Sequence, residues 1–160
     1  MKPVPLVFCD DESFKATGAL TVLAGDIRSE AALMRQLPVP VEDDDYVIVV
    51  SRHLCPGGGT LSDSEFHVLV NHELGHAVHR HIHLRDRLKH QGEWQSGFEI
   101  EMEIQADSFA ASRLSPEVVI AGLKRIHEVL SAIDGGERAY LADRYAALQA
   151  LRNQNDRPAT

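Results

Sequence analysis

Apolar residues in the middle of the chain recur every three or four positions: Phe66, Val70, Leu74, Ala77 and Val78 lie at helical spacing. Ser62-Asp63-Ser64-Glu65 stands just before them, a hydroxyl three residues ahead of a carboxylate, as reciprocal capping requires. The pattern predicts a helix over about 63–83. A second helix, over about 97–114, presents Met102, Ala106, Phe109 and Ala110 as its packing face. Ser115-Pro116-Glu117 closes it and opens another, with Ser as N-cap and Pro at the first helical position. Helices over about 117–133 and 137–151 flank an Asp134-Gly135-Gly136 turn.

The N-terminal third has shorter periods. Strands are expected over Val4–Cys9 and Ala19–Leu23, with a helix over about 27–37 behind Asp26. Pro38-Val39-Pro40-Val41 and Glu42-Asp43-Asp44-Asp45 form a connector. Tyr46-Val47-Ile48-Val49-Val50 is the strongest strand, five β-formers in a row. Its apolar residues do not alternate, which fits a central strand buried on both faces. The other reading of Tyr46–Ser51 is an edge strand that holds an extended substrate by strand addition. This order predicts an α+β fold, a small sheet beside the 63–83 helix followed by C-terminal helices. One domain is expected over 1–152, with a flexible tail over 153–160.

The chemistry concentrates on the central helix, in His72-Glu73-Leu74-Gly75-His76. Two imidazoles four residues apart share one helix face and can chelate one ion. Glu73 then stands where a carboxylate can take a proton from a water whose pKa zinc lowers to roughly 7. A catalytic zinc needs a third protein ligand, and Glu103 in Glu103-Ile104-Gln105-Ala106-Asp107 supplies one from the next helix. Asp107, one turn on, is expected to accept a hydrogen bond from the free ring nitrogen of a ligand His and so fix its tautomer. One zinc per chain is expected, held by His72, His76 and Glu103. Tyr140, Tyr145, His127 and Arg144 are all conceivable stabilisers of an oxyanion, and spacing does not choose among them.

These paired motifs, H-E-L-G-H and then Glu103 with Ala106-Asp107-Ser108-Phe109-Ala110-Ala111 and Leu114-Ser115-Pro116, resemble those of the ImmA/IrrE-like metallopeptidases. The similarity covers roughly Tyr46 to Leu123. Asp107 stands where that family usually has Asn, and the E-x-x-A-D form is similar to the wider gluzincin clan, thermolysin-like peptidases included. The resemblance implies a zincin-like domain that hydrolyses peptide bonds, with a protein substrate such as a transcriptional regulator. It also implies an alternative, a zinc-binding regulatory module that docks a partner with little or no cleavage. The intact Glu73 favours the enzyme, because a purely structural site is normally closed by a fourth Cys or His.

Cys9 and Cys55 are too few for a disulfide framework and read as reduced thiols. Cys55, in the Cys55-Pro56-Gly57-Gly58-Gly59 loop, could instead cap the metal or replace Glu103, as in peptide deformylases. The Gly-rich and Glu-Gly-Cys motifs of those enzymes are missing.

Composition narrows the picture. A chain of 160 residues with 44% hydrophobic content can bury one core. No apolar run approaches the roughly 20 residues of a membrane span, and the apolar stretch after Met1 is too short for a signal peptide. A cytoplasmic protein without a membrane partner is expected. The net charge of −8 argues against direct nucleic-acid binding. The exception is the basic run His79–His90, read either as a solvated helix end complementing the dipole or as a dock for an acidic protein substrate. His79 and His83 within it are read as surface groups or as supports for the ligands.

Overall fold

In the computed structural model, which describes residues 2–37, 40–57 and 59–156, a three-stranded sheet supports a set of helices. The strands are β1 (Leu6–Cys9), β2 (Ala19–Leu23) and β3 (Tyr46–Ser51), in the order β1-β3-β2. β3 is central, parallel to β1 and antiparallel to β2, with Leu20 opposite Val49 and Leu6 opposite Ile48. Both of its faces are buried. Ile48 and Val50 enter the main core with Val68, Leu123 and Leu130, while Val47 and Val49 pack with Val7, Ala24, Ile27 and Leu33 on the other side. This accounts for the unbroken apolar run and rules out β3 as a substrate-holding edge.

The two outer strands have different free edges. On β1, the side chain of Gln36 imitates a strand: its Oε1 accepts from the Phe8 amide and its Nε2 donates to the Phe8 carbonyl, both at 2.8 Å. On β2, the bonds Ser51 N–H to Gly18 carbonyl and Ala24 N–H to Asp45 carbonyl set the alternation, so Leu20 and Val22 face β3. The main-chain groups of Thr21 are therefore directed to the open edge. Blocking one edge and leaving the other short limits unwanted strand pairing.

The helix expected over about 27–37 is broken into a 3-10 turn at Ala24–Ile27 and the one-turn α1 (Ala31–Met34). Asp26 does not stand ahead of a helix over 27–37 but lies inside the 3-10 turn, where its carboxylate accepts from the Leu23 amide at 3.3 Å. The irregular path lets Ala24, Ile27 and Leu33 all reach the same face of the sheet, a gain in burial that outweighs helical continuity.

The central helix is also shorter than its periodicity suggests. α2 (Asp63–Val78) starts with the expected box, in which Ser62 Oγ accepts from the Glu65 amide and Glu65 accepts from the Ser62 amide at 2.8 Å. It stops because Arg80 is left-handed, with φ 54 and ψ 42, and α3 (His81–His90) departs from there. A non-glycine residue in that region costs roughly 1–2 kcal/mol. α4 (Gly97–Arg113) and α5 (Pro116–Asp134) follow the pattern closely. α6 (Leu141–Asn155) starts later than expected, after Tyr140 at φ 62, and carries 153–155 as helix, not as tail. Pro38 and Val39 of the connector, Gly58 of the Cys55 loop and residues 157–160 of the expected tail lie outside the described residues. Among the described residues no helix is long and apolar enough to cross a membrane.

Two glycines set how closely the helices approach α2. A Cβ on Gly75 would lie 2.8 Å from the Ala106 Cα and 3.0 Å from its carbonyl oxygen, and a Cβ on Gly122 would lie 2.6 Å from Val68 Cγ2. The obstacle at Gly75 is backbone, which cannot step aside. Gly75→Ala gains about 1 kcal/mol of helix propensity and forces α2 away from α4, an overpacking cost of about 1–3 kcal/mol. We expect a net loss of stability in urea unfolding together with weaker metal binding; a variant that is more stable and binds metal unchanged would show that the approach is not limiting.

Candidate metal centre

α2 and α4 bring three of the expected residues together. His72 and His76 project one turn apart from α2, and Glu103 projects from α4, so that one ligand atom of each lies within 4.8 Å of the others. The two Nε2 atoms are 3.1 Å apart, and Glu103 reaches His72 Nε2 through Oε2 and His76 Nε2 through Oε1, each at 3.4 Å. Ligand atoms about 2.0–2.1 Å from a tetrahedral ion stand about 3.3–3.4 Å from one another. The donor set therefore fits a metal ion of that size. Among the described residues Cys55 belongs to no such group; it is half-buried, with its sulfur 3.9 Å from the Ser51 carbonyl. A second acidic group, Glu42, Asp44 and Asp45, already receives the Lys2 ammonium at 3.0–3.2 Å.

Each imidazole is oriented from behind. Asp107, 1% exposed, accepts from His72 Nδ1 at 2.7 Å, which leaves Nε2 as the nitrogen that faces the site. Behind His76 the partner is another imidazole: His76 Nδ1 lies 2.8 Å from His81 Nδ1, and His81 Nε2 lies 3.0 Å from Gln105 Oε1. With Gln105 accepting, His81 carries its proton on Nε2, accepts at Nδ1 from His76, and again frees the ligand's Nε2. The left-handed Arg80 makes this contact possible, since it folds His81 back onto a residue five positions earlier. Of the two readings of His79 and His83, support for a ligand is not seen: His79 is a surface group that stacks on His81, and His83, half-buried, meets the Tyr46 hydroxyl through Nδ1 at 2.6 Å.

Arg144 completes the charge balance. It donates through Nε and Nη2 to the two oxygens of Asp107, at 2.6 and 2.8 Å, and lies with Nη1 3.2 Å from Glu103 Oε2. Burial alone would raise Asp107 and Glu103. The hydrogen bonds from Arg144 and His72 outweigh it for Asp107, and His72, His76 and Arg144 outweigh it for Glu103, so both are held below the usual carboxylate range. Burial would likewise lower His72, yet its bonds to Asp107 and Glu103 push it up to about 10. His76, desolvated and next to His72, is pushed down to about 3.

Glu73 is not among the metal-binding group. Its Oε2 lies 2.7 Å from Thr21 Oγ1, and the same hydroxyl lies 2.8 Å from the Glu73 carbonyl. Burial raises its pKa against the opposing effects of His72 and Thr21. Thr21 was not apparent in the sequence as a functional residue. The one signal is an inverted pattern in β2, where Thr21 is 7% exposed and Leu20 46%. These groups open into a cleft of about 450 Å³ that β2, α2, α3 and α5 wall with residues including Leu20, Ile82, Leu123 and Ile126. Of the oxyanion candidates, Tyr140, His127 and Arg144 line this cleft, while Tyr145 stands behind, its hydroxyl 3.2 Å from His127 Nδ1. Comparison with protein-family models, with curated proteins and with solved structures finds no match.

Two expectations follow for metal binding. At neutral pH His72 holds a proton that the metal must displace, whereas His76 and Glu103 are already deprotonated. Binding should release about one proton per ion and tighten as pH rises toward the His72 value. Calorimetry in buffers of different ionisation enthalpy reads that number, and zero release would show that His72 is already neutral before the ion arrives. His81→Ala, which removes the acceptor behind His76, should weaken the ion about 10- to 100-fold. His79→Ala, a neighbouring exposed imidazole, should not.

Proposed function

We propose that this chain is a zinc-dependent metallopeptidase of the gluzincin type, similar to the ImmA/IrrE-like enzymes, acting on a protein or peptide. The observation that carries the reading is the convergence of His72, His76 and Glu103 with a non-ligand carboxylate, Glu73, beside them in one cleft. A structural zinc site has no use for such a carboxylate. When bound, zinc would polarise the scissile carbonyl and make water a better nucleophile near neutral pH.

The protein's own residues supply the rest. Glu73 takes the proton of the attacking water and returns it to the departing amine. Its raised pKa suits both halves of that task, since a stronger base also gives a usable acid. Thr21 fixes the carboxylate from β2. The open edge of β2, not β3, is the strand beside the cleft that can add an extended substrate as another strand. Tyr140, His127 and Arg144 line the same cleft, but Arg144 is committed to Asp107 and Glu103 and the Tyr140 hydroxyl to Glu99.

Asp107 has a reason to differ from the family's usual Asn. Asn can accept from His72, but it cannot meet the bidentate guanidinium of Arg144, which is 7% exposed. The carboxylate answers the cation.

Glu73→Gln should keep zinc and fold yet lose at least about 100-fold in cleavage, because an amide accepts no proton from water. The readout is proteomic comparison of cells or extracts with wild type, Glu73→Gln and His72→Ala. A downstream response that survives fully in Glu73→Gln, with no fragment in any sample, would mean a docking module instead. Thr21→Val removes a hydrogen bond that lowers Glu73, so the acid limb of kcat/KM should move to higher pH. A limb that stays put would detach Thr21 from the base.

A further inference from the structure

The basic run His79–His90 is not a plain helix end. α3 starts at His81, in contact with the ligand His76, and proceeds outward with Arg85 and Lys89 each one turn further along the same face. His81, Ile82, Arg85 and Trp94 line the cleft, and Lys89 sits with its ammonium 5.4 Å from the centre of the Trp94 ring. At 1.5 Å per residue this row spans about 12 Å from the metal site, about four residues of extended chain.

The charges on it are unspent. Among the described residues Arg80, Arg87 and Lys89 have no carboxylate partner, and Arg85 touches only its exposed neighbour Asp86, at 3.5 Å. Of the acids that line the cleft, Glu103 is paired with Arg144, Glu73 accepts from Thr21, and Glu99 accepts from the Tyr140 hydroxyl at 3.0 Å; none of them is paired with Arg85 or Lys89. In a chain of net charge −8, a cluster of cations that leads into the cleft is a local reversal of sign. Dipole complementarity accounts for Arg80, at the C-terminal end of α2, and for Lys89, in the last turn of α3; it gives no account of Arg85.

We propose that the α3 face formed by Arg85 and Lys89, continued by Trp94, is a docking track for an acidic segment of the peptide substrate, adjoining the bond to be cut. The proposal deepens the peptidase reading and rests on it. Trp94 offers apolar area beside the two cations, so the matching segment has carboxylates interleaved with apolar side chains. Charge at the mouth of a cleft also steers encounter, so the preference should weaken as salt rises.

The test uses the full chain with Glu73→Gln, zinc-loaded, so that binding is read without turnover. The probes are fluorescein-labelled peptides with an apolar centre and glutamates on one side or the other, each paired with its glutamine counterpart. At low salt the better-placed glutamate peptide should bind roughly two- to thirty-fold tighter than its counterpart, the range two exposed ion pairs supply. Arg85→Glu with Lys89→Glu should abolish or invert that preference. Lys124→Glu with Arg125→Glu, on the exposed face of α5 away from the cleft, changes the net charge equally and should preserve it. Equal binding of both peptides, a preference that survives the α3 changes, or one lost equally in both double variants would overturn the track, as would tighter capture of a single-stranded oligonucleotide of equal charge. Wild-type cleavage that ignores charge would also overturn it and leave the peptidase reading standing. Charge-dependent binding with no cleavage of any probe would instead overturn the peptidase reading and support the track as a docking surface.

Discussion

The site depends on one steric condition, the passage of α2 over α4 at Gly75. Both imidazole ligands belong to α2, and Glu103 and Asp107 belong to α4, so the distance between two helix backbones decides whether four side chains meet. With a hydrogen in place of a methyl group, the backbone of α2 comes against that of Ala106. Small residues on both sides make the approach, and Gly122 against Val68 repeats the device where α5 crosses. Gly75, which carries no side chain, therefore sets the geometry for His72 and His76 in the same motif.

Close helices take charge out of water. Asp107 is fully buried and Glu103 lies partly exposed at the cleft, and Arg144 answers both. Breaking a buried pair of this kind by removing one partner typically costs about 3–5 kcal/mol. The network thus couples metal geometry to fold stability: the group that holds His72 in its tautomer is itself held by a cation from a third helix. Behind His76 the support is neutral, a chain of His76, His81 and Gln105. The two ligands are oriented by different physics.

Much of this was legible along the chain. Helical spacing brought out α4, α5 and all of α2, which it carried past the true end at Val78, and the unbroken run of β3 matched its double burial. The expected ligand trio and the hydrogen bond from His72 to Asp107 are where residue type and spacing put them. What escaped depends on contacts between distant segments or on backbone that no residue type announces. His81 reaches His76 only because Arg80 turns left-handed without a glycine or asparagine to mark it. Thr21 meets Glu73 across 52 residues of chain, and in β2 it takes an inward position that an apolar residue would ordinarily hold. A polar side chain turned in while Leu20 turns out breaks a local rule, and such breaks gather at functional sites. The helix expected over 27–37 failed for the opposite reason, since burial against the sheet outweighed local propensity.

Arg144 also gives the site a history. It lies on α6, which follows both ligand helices in the chain. As the polypeptide is made, His72, His76, Glu103 and Asp107 all emerge before the cation that balances them. Until α6 docks, its two carboxylates are stable only where water reaches them, so α2 and α4 have reason to stay apart or partly hydrated. The order of synthesis thus separates these groups from their balance: a half-made chain carries His72, His76 and Glu103 yet lacks the counter-ion that lets them close together, and the candidate metal centre is completed only with α6.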